Sequence, residues 1–231
     1  NALLVVYSIG LNLSEYRNVT WSSYFSSLRN LRNSNASLPL NANGLKPDIY
    51  YIILDGYVRS DVLKDLYDYD NSEFVNNLEM EGFVVAQQSH SNYAKTILSV
   101  PSTLNMDYVD TFAPGLDDSK FWWLMEPFID HSEVRTLLKS QGYQTVSFST
   151  NWSLTDMNSA DIHLAAFPVE LTDFEQYLLQ TTPLRLSQPF LQDSASVFTS
   201  ETQRRTILHT LGALDDFVSD PDPVFVFAHI L

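Results

Sequence analysis

Short apolar runs alternate with amphipathic segments along most of the chain. The run "IYYIIL" (residues 49–54) is rich in β-branched and aromatic residues, which is the pattern of a strand buried on both faces of a parallel sheet. Further strands are predicted at "FVVA" (83–86), "YQTVSFS" (143–149), "ADIHLA" (160–165) and "PVFVFAHIL" (223–231). Strands that alternate with helices predict an α/β fold with a doubly wound, mostly parallel sheet flanked by helices. We expect "IYYIIL", "TVSFS" and "VFVFAHI" to be central neighbours in that sheet.

Segments with helical periodicity lie between these runs, and several of them end at glycine. Asp70 and Glu73 have the spacing of a capping box, and Pro101 must kink or break the helix that contains it. Residues 107–130 show no clear period and are predicted to be irregular. The predicted helices cover residues 59–67, 70–82, 96–106, 132–142, 174–179 and 200–219.

The two ends of the chain suggest three regions. Residues 1–13 are apolar but too few to span a bilayer, which takes about 20 residues. Because the chain does not begin with Met, we interpret them as the end of a transmembrane helix rather than as a core segment. Residues 14–47 are predicted to be a polar linker, and residues 48–231 the N-terminal part of a catalytic domain. The last predicted strand stops abruptly, so we expect the sheet to be incomplete at the C-terminus.

The composition narrows the classes of function. Apolar residues make up 45% of the 231 residues, which is typical of a globular domain. The net charge is −15, with 28 acidic against 13 basic residues, which argues against nucleic acid as a partner. The absence of cysteine excludes a disulfide framework, a zinc–thiolate site and a thiol nucleophile.

Two residues have the position and chemistry expected of an active site. Parallel α/β sheets bind ligands at the carboxyl ends of their strands, and Asp55 directly follows the first strand. It is either a helix cap or a ligand for a hard cation. Thr96 begins a predicted helix, where it is either an N-cap or a nucleophile that a nearby metal ion would activate.

The stretches "DIYYIILDGYVRSDVL" (48–63) and "SNYAKTILSVPSTLNM" (91–106) resemble the alkaline phosphatase superfamily. The resemblance is to the membrane-anchored, sulfatase-like branch that includes lipoteichoic acid synthases and phosphoethanolamine transferases. In that family the first strand ends in an acidic metal ligand, here Asp55. A nucleophile opens a later helix and is followed by a stretch like "AVSVP", which corresponds to Thr96 and "ILSVP". The resemblance implies that Thr96 is also a metal ligand.

Weaker candidates lie around this pair. Ser99 begins "SVPS", which is similar to the sulfatase signature, but Thr103 stands where that signature has arginine. Ser99 is therefore expected to support the site rather than to attack. His229 corresponds to the first histidine of the family's "H…GSH" motif, and Lys95 could contact an anionic substrate, as could His90.

The resemblance implies a metal-dependent phospho-group transferase or phosphoester hydrolase. The divalent ion is Zn, Mn, Mg or Ca, and the substrate is a phosphate or sulfate ester linked to a lipid or a glycan. The domain is expected at the outer face of a bacterial cell membrane, held by an upstream segment. Its remaining metal ligands are not visible in this chain, so the chain alone is expected to be inactive.

Two other functions stay open. The first is a sulfatase that uses Ser99. The second is an inactive surface domain that binds glycan through the aromatic residues 120–128, although such clusters more often pack in a core. His131 and His163 are expected to be structural.

Overall fold

A computed structural model describes residues 21–33, 46–116, 122–150, 152–191, 194–196, 199–218 and 222–231. Within these ranges the strands are β1 (Ile49–Leu54), β2 (Gln144–Phe148), β3 (Ile162–Leu164) and β4 (Val224–Ile230). The α-helices are α1 (Trp21–Asn33), α2 (Ser60–Tyr67), α3 (Ser72–Met80), α4 (Thr96–Leu104), α5 (Val109–Phe112), α6 (Glu126–Asp130), α7 (Glu133–Ser140), α8 (Asp173–Thr181), α9 (Gln188–Leu191) and α10 (Ser200–Ala213). Single 3₁₀ turns lie at Trp122–Met125, Ser153–Thr155, Pro183–Ser187 and Leu214–Phe217.

The four strands form one parallel sheet in the order β1-β4-β2-β3. Leu54 of β1 lies opposite Ile230 of β4, and Ser147 of β2 lies opposite Phe227. The predicted α/β class and the three neighbouring strands are confirmed. Since every strand runs the same way, their carboxyl ends share one edge of the sheet.

β4 is the centre of the structure and is buried along its whole length. Phe225 and Phe227 pack on one face with residues of α4 and α6, including Val100 and Ile129. On the opposite face Val224, Val226 and Ala228 pack with β2 and with the segment that follows α10. Helical segments therefore cover both faces of the sheet, as the doubly wound pattern predicts.

The edge strand β1 differs from its sequence pattern. We expected it to be central and buried on both faces, but Ile52 and Leu54 are exposed. Among the described residues β1 pairs only with β4, so one long side of the strand has no neighbour. Apolar content alone cannot separate an edge strand from a central one.

The predicted strand at residues 83–86 is wrong. This segment has no strand pairing in the described part of the chain, and Val84 is 97% exposed. A short apolar run needs a partner strand or a helix layer to become a strand.

The predicted helix positions are confirmed, with some local differences. Asn71 rather than Asp70 is the N-cap of α3, and the Asp70 carboxylate instead accepts hydrogen bonds from Ser72. Helix α4 continues through Pro101. Gly82 and Gly142 follow α3 and α7 with φ of +90° and +84°, as predicted for helix ends.

Two regions are more ordered than their sequences suggest. Helix α1 lies inside the predicted linker, and its Tyr24 packs against Phe128. Residues 107–130, expected to be irregular, contain α5, a 3₁₀ turn and α6. Residues 1–13 and the linker residues 14–20 and 34–45 lie outside the described residues. No helix in the described part is long and apolar enough to cross a membrane.

Replacing Phe227 tests the central role of β4. Phe227 is 1% exposed and its ring lies 5.9 Å from that of Tyr51. We expect Phe227→Ala to lower the free energy of unfolding by about 3–5 kcal/mol, because it leaves a cavity in the core. The matched control Val84→Ala should change it by less than about 0.5 kcal/mol. Urea denaturation measures both, and similar losses for the two variants would contradict this core.

Candidate active site

Asp55 and Thr96 meet at the carboxyl edge of the sheet. The backbone N–H of Asp55 donates to the carbonyl of Ile230 at 2.8 Å, which holds this residue beside the end of β4. Thr96 is the first residue of α4, and its Oγ1 lies 3.4 Å from Asp55 Oδ2, to which it donates a hydrogen bond. The structure thus brings together the two residues that the sequence singled out.

His229 lies on the other side of Asp55. Its side chain is fully buried, with Nε2 at 3.6 Å from Asp55 Oδ2 and Nδ1 at 3.0 Å from Thr155 Oγ1. Burial lowers the pKa of His229, although the Asp55 carboxylate opposes this effect. The imidazole is therefore neutral at pH 7, and protonating it would destabilise the folded state as the pH falls.

The Nε2 atom of His229 has no hydrogen-bond partner among the described residues. If Nδ1 carries the proton and donates to Thr155, Nε2 turns a lone pair toward the Asp55 carboxylate. If Nε2 carries the proton, its 3.6 Å separation from Asp55 is too long for a good hydrogen bond. In both tautomers a buried nitrogen beside a carboxylate lacks a partner, and a bound cation would supply one to the neutral lone pair.

The first turn of α4 has backbone N–H groups that the helix itself does not satisfy. Its N-cap is Lys95, which makes no side-chain capping hydrogen bond. The first backbone N–H that the helix itself satisfies is that of Leu98, which donates to the Lys95 carbonyl at 3.0 Å. Free N–H groups in a first helical turn attract phosphate and sulfate groups.

Ser99 has a different environment from Thr96. Its N–H donates to the Lys95 carbonyl at 2.9 Å, and its hydroxyl donates to Asn92 Oδ1 at 2.6 Å. Ser91 Oγ lies 2.8 Å from the same hydroxyl. Asn92 also donates to Ser102 Oγ at 2.8 Å, so it ties the loop before α4 to the helix. Ser99 is thus part of the scaffold of this loop.

The basic candidates are spread around the loop. Lys95 is exposed, and it has no ion-pair partner among the described residues. Arg59, which the sequence analysis did not single out, donates to Ser89 O at 3.1 Å and lies 2.9 Å from His90 Nε2. Asp61 forms two hydrogen bonds with the same guanidinium. This cluster connects the start of α2 to the loop that leads to Thr96.

Polar side chains continue along the edge behind His229. Thr155 Oγ1 lies 3.5 Å from Thr150 Oγ1, which donates to Asp156 Oδ1 at 2.7 Å. The backbone N–H of Thr150 donates to the same oxygen at 3.0 Å. Sequence reasoning missed Thr155 because it lies 74 positions before His229 in the chain. No local pattern marks such a contact.

A small cavity of about 140 Å³ lies past the ends of β2 and β3, and its lining residues include Ser149, Asp156 and Glu170. His163 of β3 contacts Ser147 Oγ at 2.8 Å and lies 3.5 Å from Glu170 Oε2. The Glu170 carboxylate raises the pKa of His163. His163 Nε2, like His229 Nε2, has no hydrogen-bond partner among the described residues. His131 lies at the surface beside Asp130. The structural roles expected of His163 and His131 stay predictions.

The aromatic stretch is divided between the core and the surface where its side chains are described. Met125 and Phe128 are fully buried, and Trp123 is exposed. Residues 120 and 121 of this stretch lie outside the described part of the chain.

No family model matches the chain, and neither a curated protein nor a solved structure matches it. The geometry at the edge of the sheet therefore carries the assignment of a function.

The pH dependence of stability tests the environment of the buried Asp156 carboxyl group. Burial raises the pKa of Asp156 to about 6, although the Thr150 hydrogen bonds oppose this effect. Glu170 raises the pKa further and His163 lowers it. The folded chain thus takes up a proton between about pH 4 and 6, and this group's contribution to stability falls as the pH rises through that window. Asp156→Asn keeps an acceptor for Thr150 without the charge. We expect its stabilising effect to be about 2 kcal/mol larger at pH 8 than at pH 4, measured by urea unfolding.

Asp161→Asn is the matched control, because we expect this substitution to lower the stability of the fold rather than to raise it. Burial raises the pKa of Asp161, but hydrogen bonds from Lys139 and Thr145 outweigh it and hold the pKa at about 2. The ionised form therefore stabilises the fold above about pH 4, so this variant should be less stable than the parent at both pH 4 and pH 8. If Asp156→Asn and Asp161→Asn changed the free energy of unfolding in the same direction at pH 8, the environments assigned to these two carboxyl groups would be wrong.

Proposed function

We propose that this chain carries the nucleophile of a metal-dependent phospho-group transferase or phosphoester hydrolase. The observation that carries the proposal is the 3.4 Å contact between Thr96 Oγ1 and Asp55 Oδ2 at an uncapped helix N-terminus. A hydroxyl, a carboxylate and free N–H groups meet there, which suits attack on a phosphorus centre. The sequence resemblance to the sulfatase-like branch of the alkaline phosphatase superfamily supports the same chemistry, and the parallel sheet flanked by helices is compatible with that fold.

The spacing of the donors fits a divalent ion. Oxygen and nitrogen ligands lie about 2.0–2.2 Å from zinc, so two ligands of a tetrahedron are about 3.3–3.6 Å apart. Asp55 Oδ2 lies 3.4 Å from Thr96 Oγ1 and 3.6 Å from His229 Nε2. The nitrogen donor favours zinc over calcium or magnesium, which prefer oxygen ligands.

This donor set contains two of the usual ligand types and one threonine. The described residues accordingly contain no group of three or more His, Cys, Asp or Glu arranged for a metal ion. Asp55, Thr96 and His229 would hold the ion, with further ligands from outside this group. When bound, it would lower the pKa of the Thr96 hydroxyl and stabilise negative charge on the phosphoryl oxygens.

The reaction has two balanced steps at Thr96. The Thr96 oxygen forms a bond to phosphorus while the bond to the ester oxygen breaks, and overall one proton passes from the hydroxyl to the departing alcohol. An incoming alcohol or water then attacks the phosphothreonine, and one proton returns to Thr96. The N–H groups of α4 contribute hydrogen bonds to the phosphoryl oxygens throughout.

The proposal extends to location and substrate. The apolar residues 1–13 and the family resemblance favour anchoring in a bacterial cell membrane, with this domain outside the cytoplasm. The substrate would be a phosphate ester linked to a lipid or a glycan. The runner-up chemistry is hydrolysis of a sulfate ester through Ser99, and the runner-up class is an inactive domain that binds glycan.

Substitutions of Thr96 and Ser99 separate the two chemistries. In the protein as its gene encodes it, Thr96→Ala should abolish turnover of a phosphodiester because it removes the attacking atom. Ser99→Ala should slow turnover by about tenfold or less, because it removes a supporting hydrogen bond. Mass spectrometry of the parent should find a phosphoryl-type adduct on Thr96. Normal rates for Thr96→Ala, together with an inactive Ser99→Ala on an aryl sulfate, would favour the sulfatase.

Metal content separates the enzyme from the binding domain. After gel filtration, we expect the gene-encoded protein to retain zinc, and Asp55→Asn and His229→Gln to lose most of it. The matched control His163→Gln should keep the parent's metal content, because His163 contacts Ser147 and lies near Glu170 rather than near Asp55. A parent without metal would instead support the glycan-binding alternative.

A further inference from the structure

The Thr155 hydroxyl is the hydrogen-bond partner of the His229 ring in the described part of the chain. His229 Nδ1 lies 3.0 Å from Thr155 Oγ1, and the other ring nitrogen, Nε2, has no partner there. Both residues are shut off from water, since Thr155 is 0% and His229 is 2% exposed. A neutral imidazole has one N–H and one lone pair, so the direction of this hydrogen bond decides which ring nitrogen carries the proton.

A threonine hydroxyl suits either direction, because it both donates and accepts. When Thr155 donates to Nδ1, the ring proton is on Nε2, which lies 3.6 Å from Asp55 Oδ2. When Nδ1 donates instead, the Thr155 proton needs another acceptor. The structure provides two of them, the Trp152 carbonyl at 3.4 Å and Thr150 Oγ1 at 3.5 Å.

The contacts of Thr150 make its hydroxyl an acceptor toward Thr155. Its own proton has a nearer acceptor in Asp156 Oδ1, at 2.7 Å. The backbone N–H of Trp152 donates to Thr150 Oγ1 at 3.0 Å, which leaves one of its two lone pairs for Thr155. The fold therefore contains a second position for the Thr155 proton.

Electrostatics favour different tautomers of the His229 ring with and without a cation. Without one, Nε2–H turns a positive hydrogen toward the Asp55 carboxylate, whereas a bare Nε2 would turn a lone pair toward it. A cation bound at Nε2 requires that lone pair, so the proton must then be on Nδ1. The ring is neutral in both cases, because one proton leaves Nε2 and one arrives at Nδ1.

We infer that Thr155 is a positioning residue that lets His229 change its tautomer when a divalent cation binds beside Asp55. The Thr155 hydroxyl donates to Nδ1 before the ion binds and accepts from Nδ1–H afterwards, when its own proton turns to the Trp152 carbonyl or to Thr150. The ion thus gains a neutral nitrogen ligand while Nδ1 keeps its partner. This inference rests on the metal site of the proposed function, but the tautomer of the ion-free ring is measured without it.

Nitrogen NMR with isotope-labelled histidine reads the tautomer directly, because protonated and bare ring nitrogens differ widely in chemical shift. In the protein as its gene encodes it, the His229 signals are those that disappear in His229→Gln. We expect the ring proton on Nε2 after a chelator has removed all metal, and on Nδ1 after zinc is added. A ring proton on Nδ1 without zinc, or on Nε2 with zinc, would overturn the inference.

Zinc affinity, measured by competition with a chromogenic chelator, tests the part played by the hydroxyl. Thr155→Val keeps the shape of the side chain but neither donates nor accepts, so we expect zinc affinity to fall by about tenfold to a hundredfold. Thr155→Ser restores a hydroxyl and should bind zinc nearly as tightly as the parent. The matched control Thr145→Val removes another fully buried threonine hydroxyl, which pairs with Asp161 near the start of β2, and should leave zinc affinity unchanged.

The outcomes separate this inference from the proposed function. If Thr155→Val binds zinc as tightly as the parent while Asp55→Asn does not, the metal site stands and the role of Thr155 is wrong. Equal losses in Thr155→Ser and Thr155→Val, or in Thr145→Val and Thr155→Val, would also overturn that role, because packing rather than the hydroxyl would then explain them. A parent that binds no zinc would remove both the metal site and the change of tautomer.

Discussion

The parallel pairing of β4 with both β1 and β2 is the constraint on which the rest of the structure depends. β4 is buried on both faces, so its burial requires helices on each side of the sheet. The common strand direction brings the ends of β1, β2 and β4 to one edge, and the hydrogen bond from Asp55 N to Ile230 O extends the ladder by one residue to the acidic side chain. Asp55 and His229 meet because of this register, although they lie 174 positions apart in the chain.

The same edge of the sheet contains titratable groups whose burial lowers the stability of the fold. His229 and Asp156 are nearly inaccessible to water, and burial lowers the pKa of the first and raises that of the second. Both shifts favour the neutral form, which is the usual response of a buried titratable group that lacks a full counter-charge. Thr150 and Thr155 reduce this cost with hydroxyl contacts. A polar layer of this kind at the end of a parallel sheet is more typical of a site than of a structural core.

Most of the helices and strands could be predicted from apolar runs and helix ends, because the apolar residues of β2 and β4 are enough to indicate buried strands. The edge position of β1 and the exposed segment around Val84 could not, since both depend on which other strands are present. The position of Thr96 was predictable because a local motif and a helix start coincide there. Thr155 was not, because its role is set by a contact with His229 that only the folded chain creates. The pairing of Arg59 with His90 is hidden for the same reason.

The net charge of −15 does not conflict with the anionic substrate proposed above, because most of these charges act on it only from a distance at which salt screens them. Exposed charges are screened over about 8 Å at physiological ionic strength, so the carboxylates of α2 and α3 beyond that distance contribute little to a phosphate bound at α4. At the mouth of α4 the nearest groups are free N–H donors, the exposed Lys95 and the Asp55 carboxylate. Asp55 alone would repel a phosphate there. The cation proposed between Asp55, Thr96 and His229 would reverse that local sign, and it would also give His229 Nε2 the partner that it lacks among the described residues. One bound ion would therefore both offset the repulsion between Asp55 and a phosphate and provide a partner for His229 Nε2.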